Sequence, residues 1–276
     1  AAMEHALELA RQYGTGLVGV CHSNHFGACS YYAMKAVEQK MMLLVLSNAP
    51  KAIAPTGGIR PFFGTNPIAI GIPADAEPPF LLDMATSVTA RGKIALAQKK
   101  GERIPVDWAL DARGEPTTDP AEALQGTLLP IGGAKGYGLA MFVDIMCGLL
   151  TGGAVGPAVG SLYESDPAAQ NVGHLFLAVD IQKFMPIEQF LKTFADYLRR
   201  IKAEPKRPGV EQIWIPGEME WKQMKENEAQ GIPLDPAIIA EVEELCRRYG
   251  VDMGHALCES SASFFDPEVS GTPPLS

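Results

Sequence analysis

The feature that most constrains the fold is a short apolar run followed by a polar turn, a helical segment and a second apolar run. Residues 17–20 and 41–46 are apolar runs of strand length, and residues 31–39 have the pattern of a helix. Strands that alternate with helices are typical of α/β proteins. Further elements continue the alternation, with strands at 68–72, 80–82 and 174–179, and helices at 1–13, 139–150, 187–204, 218–230 and 236–249.

Size, charge and cysteine content limit the class of protein. The 276 residues, of which 47% are hydrophobic and 20% charged, suffice for one large globular domain or two ordinary ones. A net charge of −9 and a pI near 5.1 argue against nucleic-acid binding, and no apolar run approaches the roughly 18 residues that span a bilayer. The five scattered cysteines favour reduced thiols, so we expect a cytoplasmic protein without a secretory signal.

The turn between the first strand and the next helix carries two of the five histidines, His22 and His25. Ligands of α/β proteins are usually met where strands end. A neutral imidazole there can take a proton from a secondary alcohol and return it, because its pKa lies near 6.5. His25 is therefore a candidate general base, with Ser23 and Asn24 able to orient it. The alternative is that His25 only caps the helix or packs in the turn.

The same turn contains Cys21, His22, His25 and Cys29, which are residue types that bind metals. However, adjacent Cys21 and His22 would point to opposite faces of a strand. The ligand pairs of zinc sites, such as C-x₂₋₄-C with H-x₃₋₅-H, are not both present. We therefore expect no metal site.

A formal G-x-G-x-x-G, Gly14-Thr-Gly16-Leu-Val-Gly19, precedes the turn. In a Rossmann fold this fingerprint follows a strand and opens a helix, so that the pyrophosphate meets the helix N-terminus. Here the predicted order is reversed, with a helix before the glycines and a strand after them. The segment therefore reads as a helix stop and a strand start, and not as a dinucleotide site.

Three further segments combine turn residues with groups that bind ligands. Residues 132–138 place glycines and Lys135 at a helix start, which suits a phosphate or carboxylate. Asp83-Met84-Ala85 follows a strand, where a carboxylate can bind ribose or cap a helix that runs to about residue 100. Pro216-Gly217-Glu218 is a turn after a short strand. Each has a structural alternative: close helix packing with a solvated lysine, helix capping, and a plain turn.

Seven motifs occur in the order seen in one known family. They are His-Ser-Asn-His-Phe-Gly-Ala (22–28), Ala-Pro-Thr-Gly-Gly (54–58), Gly-Thr-Asn-Pro-Ile-Ala (64–69), Asp-Met-Ala-Thr-Ser (83–87), Pro-Thr-Thr-Asp-Pro (116–120), Gly-Gly-Ala-Lys-Gly-Tyr-Gly-Leu (132–139) and Pro-Gly-Glu (216–218). Over about residues 1–251 the chain resembles the malate/L-lactate dehydrogenase-like family, which includes ureidoglycolate, sulfolactate and diketogulonate dehydrogenases or reductases. That family is distinct from the Rossmann-fold lactate and malate dehydrogenases.

The resemblance implies an α/β, mixed-sheet NAD(P)-binding fold that is not a Rossmann fold, with NAD or NADP as cofactor, and a homodimer. It implies hydride transfer between the cofactor and C2 of a small 2-hydroxy or 2-keto acid such as malate or lactate, with His25 as proton acceptor and donor. The motifs leave open the substrate and the choice between NAD and NADP. The residues that fall where such proteins contact the cofactor are Ser47 or Asn48, Asp83, Met84, Ala85, Lys135, Pro216, Gly217 and Glu218.

Two features depart from the family pattern. Many members have Asn-Ser-Asn-His where this chain has His-Ser-Asn-His, so His22 is either a supporting group or a neutral replacement. Members also carry an N-terminal segment with a Ser-His-Gly stretch, to which some assign the catalytic His, and an Arg expected to clamp the substrate carboxylate. We expect residues 1–251 to form the dehydrogenase-like domain without that segment, and residues 252–276 to form a loosely structured tail.

The resemblance leaves two alternative functions open. One is reduction of a cyclic imine acid with NADPH. The other is a truncated, non-catalytic protein that still dimerises and binds nucleotide. An intact N-terminal segment in the source gene would count against the second alternative.

Overall fold

A computed structural model of the chain describes residues 1–75, 78–162, 169–234 and 236–251. Its helices are α1 (Ala2–Tyr13), α2 (Cys29–Val37), α3 (Arg91–Lys100), α4 (Pro120–Gln125), α5 (Ala134–Asp144), α6 (Ile187–Lys202), α7 (Glu218–Gln230) and α8 (Pro236–Tyr249). A π-helical turn, Ile145–Leu149, continues α5. The strands are β1 (Thr15–Ser23), β2 (Met42–Ser47), β3 (Ile68–Ile72), β4 (Phe80–Met84), β5 (Ala109–Leu110), β6 (Thr127–Leu128) and β7 (Val172–Val179). The predicted tail, 252–276, lies outside the described residues.

Five strands form one sheet in the order β1-β7-β2-β3-β4, and each of these strand pairs is antiparallel. The chain combines helices and strands as expected for an α/β protein, but the expected mixed sheet is wrong for the described residues. Apolar periodicity identifies a strand without specifying its direction. The direction follows from the connections, because β2, β3 and β4 are consecutive neighbours and β7 returns between β1 and β2.

Helices cover both faces of this sheet. On one face α1 and α2 pack in a buried cluster that contains Leu7, Ala33 and Phe176. On the other face α5 and the π-helical turn pack in a cluster that contains Val143 and Leu175. Leu175 and Phe176 are neighbours in β7, so their side chains point to opposite faces as the strand period of two requires. The sheet is therefore buried between two helical layers.

A second core lies outside this sheet. It joins α3 and α4 to the short β5–β6 pair, and its buried side chains include Ile53, Ile94 and Leu128. Leu128 also forms an isolated bridge with Ile53. These contacts hold the segment that precedes α5 next to the residues that follow β4.

Element boundaries near the candidate residues confirm one prediction and correct another. α1 ends at Tyr13 and β1 begins at Thr15, as predicted for the glycine segment between helix and strand. In contrast, Asp83 does not cap the next helix, because β4 runs through Asp83 to Met84. α3 begins only at Arg91. Strand pairing with β3 outweighs the local capping signal of this segment.

The chain divides into two compact units, Ala1–Lys222 and Gln223–Ser276. All candidate site residues belong to the first unit. The helices of the second unit, within its described residues, are the last part of α7 and the whole of α8. A search of the described residues finds no helix that combines the length and apolarity needed to cross a bilayer. The domain predicted over residues 1–251 stays a prediction.

Candidate active site

Most of the predicted site residues meet at one edge of the five-stranded sheet, which we call the site edge. In an antiparallel sheet alternate strands end at the same edge. Here β1, β2 and β4 end at the edge where β7 and β3 begin. The strand pairs that define the site edge are Ser23 with Val172, Ser47 with His174, and Met84 with Ile68.

His25 lies exposed in the turn that leaves the site edge from β1. Its backbone N–H donates to Gln170 Oε1 at 2.8 Å. Its Nδ1 accepts a hydrogen bond from the Gly27 N–H at 3.1 Å. Because Nδ1 is an acceptor, the neutral ring carries its proton on Nε2. Among the described residues Nε2 has no partner, so it is available to an oxygen of a ligand.

His22 lies in β1 and not in the turn, because β1 continues to Ser23. The pairing register shifts between Val20 and Ser23, and His22 has a φ of 54° at this bulge. Its Nδ1 lies 2.8 Å from Asn171 Oδ1. Because an amide oxygen only accepts, Nδ1 carries the proton and Nε2 of the neutral ring is an acceptor. The two histidines of the motif are thus held in opposite tautomers.

A third histidine, His174, lies beneath the turn and was not predicted as a site residue. It is 2% exposed, and its ring stacks on Phe26 with the centroids 3.9 Å apart. Its Nε2 lies 3.2 Å from the Asn24 carbonyl oxygen and its Nδ1 lies 2.9 Å from Ser47 Oγ. Burial lowers the pKa of His174 to about 4, so the ring is neutral near pH 7. The available signal was a polar residue inside an otherwise apolar strand, which requires buried partners.

Ser47 and Asn48 are buried at the end of β2. The Asn48 side chain donates to the Ala154 carbonyl at 2.7 Å and accepts from the Gly173 N–H at 2.9 Å. It also lies 3.5 Å from Asp144, whose carboxyl pKa is raised by burial. These contacts tie the end of β2 to the start of β7 and to the loop after the π-helical turn. The structure therefore places Ser47 and Asn48 at the site edge, but beneath its surface.

Asp83 joins the end of β4 to the start of α2. Its exposed carboxylate accepts a 2.8 Å hydrogen bond from the N–H of Ser30, the second residue of α2. A carboxylate at a helix N-terminus satisfies a free N–H group and faces the positive end of the helix dipole. This bond links β4 to the helix that follows the His25 turn. Met84 and Ala85, next in the chain, are half-buried.

Lys135 lies in the first turn of α5, at the glycine-rich segment predicted as an anion site. A 2.9 Å hydrogen bond from the Ile131 N–H to the Thr86 carbonyl ties this segment to the residues that follow β4. Gly136 cannot carry a side chain, because a Cβ there would lie 2.1 Å from the Ile131 carbonyl oxygen. The Lys135 side chain is exposed, and within the described ranges its ammonium has no ion-pair or hydrogen-bond partner.

Pro216 and Gly217 form a turn beside β4. The Leu81 N–H donates to the Pro216 carbonyl at 3.0 Å. Gly217 has a φ of 93°, and a Cβ there would lie 2.7 Å from Leu81 Cβ, so glycine is required. The short strand predicted before this turn is wrong, because residues 211–215 join no sheet. The turn therefore lies beside Leu81 of β4, a short distance from the site edge.

Glu218 is buried directly after this turn. Its carboxylate pairs with Lys202 of α6 and accepts a 2.9 Å hydrogen bond from the Ile215 N–H. Both carboxylate oxygens therefore have partners within the protein. The side chain holds the turn in place and is not directed to a ligand.

A cavity of about 480 Å³ lies between Gln182 and Glu188, at the far end of β7. That end is opposite the site edge, since Val179 pairs with Thr15 at the start of β1. Across the described ranges, no three His, Cys, Asp or Glu side chains are placed to hold a metal ion. The exposed polar side chains at the site edge include His22, His25, Asp83 and Lys135.

Proteins of known activity resemble this chain over most of its length. The malate dehydrogenase of Pyrococcus abyssi is 41% identical over 258 residues, which are 91% of this chain and 70% of that protein. The L-sulfolactate dehydrogenase of Methanothermobacter thermautotrophicus is 40% identical over 252 residues, 91% of this chain and 72% of that protein. The solved structure of sulfolactate dehydrogenase from Methanocaldococcus jannaschii has a TM-score of 0.83 at 38% identity, covering 91% of this chain and 72% of that one.

Two further relatives carry their cofactor in their names. The (2R)-3-sulfolactate dehydrogenase (NADP(+)) of Chromohalobacter salexigens is 43% identical over 182 residues, 66% of this chain and 55% of that protein. The ureidoglycolate dehydrogenase (NAD(+)) of Escherichia coli O157:H7 is 34% identical over 232 residues, 84% of this chain and 66% of that protein. Both nicotinamide cofactors therefore occur among the relatives.

The family description of malate/L-lactate dehydrogenase matches residues 1–243. This match spans all seven sequence motifs and every predicted site residue. It agrees with the relatives described above, each of which is named as a dehydrogenase. The chain therefore belongs to the malate/L-lactate dehydrogenase family.

Proposed function

We propose that the chain transfers a hydride between NAD(P) and C2 of a small 2-hydroxy or 2-keto acid, with His25 handling the proton. The observation that carries this proposal is the exposed His25 ring, which is fixed through its backbone and Nδ1 and presents Nε2 to ligands. Relatives named as malate and sulfolactate dehydrogenases act on acids of this class. The substrate class and the role of His25 together define the proposed reaction.

The Gly27 hydrogen bond determines how His25 would work. In the reducing direction the ring starts as imidazolium, whose Nδ1–H cannot accept the Gly27 N–H. Donation of the Nε2 proton to the substrate oxygen leaves a neutral ring protonated on Nδ1. Proton exchange with water then restores the tautomer that accepts from Gly27. From this resting tautomer the next reduction requires a further proton from water on Nδ1, which breaks the Gly27 bond, so the bond marks the resting neutral state of the ring.

The exposed residues of the site edge fit a nicotinamide dinucleotide. When bound, NAD(P) supplies or accepts the hydride. The ammonium of Lys135, which has no partner among the described residues, suits its phosphates, and the Asp83 carboxylate at a strand end suits a ribose hydroxyl. Met84 and Ala85 offer backbone and apolar contacts beside them, and Pro216 and Gly217 offer such contacts farther along β4. Ser47 and Asn48 support the site edge from below, and Glu218 supports the Pro216–Gly217 turn, since the side chains of all three are buried and bonded.

This mode of binding differs from that of a Rossmann protein. The segment Gly14-Thr-Gly16-Leu-Val-Gly19 connects a helix to a strand, and the sheet is antiparallel in its named pairs. A Rossmann site needs a parallel strand that leads into a helix at the pyrophosphate. We therefore place the cofactor at the site edge, without that fingerprint.

We also propose that the chain forms a homodimer. Leu139, Phe142, Ile145 and Leu149 are exposed along α5 and the π-helical turn at helical spacing. A row of exposed apolar side chains of this kind marks an interaction surface. Sedimentation of the protein should show a dimer that Phe142→Glu weakens, and a monomeric wild type would contradict this part of the proposal.

A cytoplasmic location is supported by the thiols. The cysteines of the described residues, Cys21, Cys29, Cys147 and Cys246, are all free. Free thiols are typical of reducing compartments. Fractionation of the source cells with an antibody to this chain would test the location, and recovery outside the cytoplasm would contradict it.

The function is tested by an absorbance assay of NADH and NADPH on the full-length gene product. The panel contains malate, lactate, sulfolactate and ureidoglycolate, their 2-keto acids, and a cyclic imine acid. We expect turnover with at least one 2-hydroxy or 2-keto acid. Turnover of the imine alone would favour the alternative of an imine reductase. Calorimetric binding of NADH without any turnover would identify a non-catalytic nucleotide-binding protein and would contradict the proposal.

A further inference from the structure

His174 contacts the His25 turn at two points, one on each side of His25. On one side its Nε2 lies 3.2 Å from the carbonyl oxygen of Asn24. On the other side its ring stacks on Phe26, with 3.9 Å between centroids and 12° between planes. The residue is fully enclosed, whereas His25 itself is exposed. The backbone before His25 and the side chain after it therefore both contact one buried ring.

The hydrogen bonds of His174 select one tautomer. A carbonyl oxygen only accepts, so Nε2 of His174 carries the proton that it donates to Asn24. In the neutral ring Nδ1 is then an acceptor, and the Ser47 hydroxyl, which lies 2.9 Å from it and 3.0 Å from the Asn48 carbonyl oxygen, is the donor within reach. Strand pairing puts Ser47 directly beside His174, since the two residues are register partners of β2 and β7. The sheet register thus fixes the position of the ring beside Ser47.

We propose that His174 is a positioning residue that fixes the turn carrying His25, through its hydrogen bond to Asn24 and its stacking on Phe26. The catalytic part of this inference rests on the proposed function of His25. A shift of about 1 Å in a catalytic group can cost on the order of 100-fold in rate. The two anchors restrict the position of the Asn24–Phe26 backbone, and the Gln170 bond to the His25 N–H adds a third restraint.

Two substitutions separate the two anchors. His174→Phe keeps a flat ring beneath Phe26 but removes the donor to Asn24 and the acceptor for Ser47. His174→Gln keeps an N–H donor toward Asn24 but removes the ring. Leu175→Ala is the matched control, because Leu175 is equally buried in the same strand but faces the opposite helical layer. It reports the effect of a general loss of stability.

The first measurement is amide hydrogen exchange at His25 and Gly27, resolved by NMR, and it does not depend on activity. The His25 amide donates to Gln170 Oε1, and the Gly27 amide donates to His25 Nδ1 inside the turn. We expect exchange at least about tenfold faster in His174→Phe, an intermediate rate in His174→Gln, and no such change at these amides in Leu175→Ala. Equal exchange in His174→Phe and Leu175→Ala would overturn the proposal. Equal effects of Gln and Phe would overturn the hydrogen bond as an anchor.

The second measurement is steady-state kinetics of the same variants. We expect kcat of His174→Phe to fall by at least about tenfold, with KM for the nucleotide within about threefold of wild type. Faster exchange with unchanged kcat would overturn the catalytic importance of the anchor. If the wild type shows no turnover, the proposed function fails, while the exchange data still decide whether His174 positions the turn.

A third measurement needs no variant and covers the case in which His174→Phe does not fold. Nitrogen shifts of the wild-type histidines at pH 7 report which ring nitrogen carries the proton. We expect His174 to be neutral with its proton on Nε2. A proton on Nδ1 would mean that the ring cannot donate to Asn24, and would overturn the proposal.

Discussion

Two sets of polar residues at or beside the site edge differ in burial, and that difference separates support from chemistry. Side chains of the buried set have partners within the protein, and each holds backbone segments together through these contacts. Side chains of the exposed set each retain a group that can meet a ligand. The buried set is Ser47, Asn48, His174 and Glu218, and the exposed set is His22, His25, Asp83 and Lys135.

Position in a motif therefore does not specify the role of a side chain. Asn48 and Lys135 were predicted in the same way, as residues that contact the cofactor. Asn48 bonds Ala154 and Gly173 inside the protein, whereas Lys135 has no partner within the described residues. Loss of a buried group should therefore lower stability, and loss of an exposed group should lower activity or binding.

The largest loss of stability is expected for Asn48→Ala. The substitution leaves the Gly173 N–H and the Ala154 carbonyl without their partner. At about 1–3 kcal/mol for each unsatisfied buried group, we expect the free energy of unfolding to fall by about 4 kcal/mol. Urea titration measures it. The matched control is Asn24→Ala at the same edge, an exposed side chain for which we expect a change within about 0.5 kcal/mol. Equal losses in the two variants would mean that burial does not separate supporting residues from exposed ones at this edge.

The next effect is a pH dependence caused by His174. Burial lowers its pKa in the folded protein to about 4, compared with about 6.5 in the unfolded chain. Between these pH values only the unfolded chain takes up the proton. The free energy of unfolding is therefore unaffected by protonation of His174 above pH 6.5 and decreases as the pH falls toward 4. The loss should reach about 3 kcal/mol relative to His174→Phe, which lacks the group. Parallel curves of unfolding free energy against pH for the two proteins would contradict this.

A smaller loss is expected for Glu218→Gln. The change removes the ion pair with Lys202 but leaves an oxygen that accepts from the Ile215 N–H. Because Lys202 is 30% exposed, screening reduces the effect, and we expect about 1.5 kcal/mol. Glu38→Gln, which breaks the exposed pair of Glu38 with Lys35, is the control and should cost no more than about 0.5 kcal/mol. A loss for Glu218→Gln as small as the loss for Glu38→Gln would contradict a supporting role for the Glu218–Lys202 ion pair.

The smallest effect on stability is expected for Lys135→Ala, which should instead weaken binding. Because the ammonium has no partner in the described part of the chain, unfolding should stay within about 0.5 kcal/mol of wild type. KM for NAD(P)H should rise about fivefold, more at low salt than at high salt. Lys99→Ala, an exposed lysine at the end of α3, controls for loss of charge. The same KM in both variants would mean that Lys135 does not contact the cofactor.

Much of the fold could be predicted from the sequence because burial leaves a period in it. The apolar runs specified the strands, and Gly14 specified the end of α1. The direction of β7 between β1 and β2 could not be predicted, since strand direction has no local signal. The end of β4 was also missed, because the pairing of Asp83 with Ala69 is a long-range contact that outweighs a capping pattern.

The candidate site was predictable in its members and not in their roles. The motifs identified the turn of His25, the end of β4 and the start of α5 as the places to look. Which side chains become buried depends on the sheet register, which put Ser47 beside His174. His174 itself carried only the signal of a histidine in an apolar strand. Its contact with Asn24 joins residues 150 positions apart, so no local pattern could reveal it.

His25 is proposed to handle the proton of the reaction, and His25→Ala removes the ring that would do so. The measurement is kcat on the substrate identified in the panel, together with the free energy of unfolding. The control is His5→Ala, an exposed histidine of α1 on which neither quantity should depend. We predict that kcat of His25→Ala falls by at least about 100-fold while unfolding changes by less than about 0.5 kcal/mol. A kcat within about threefold of wild type would contradict the claim.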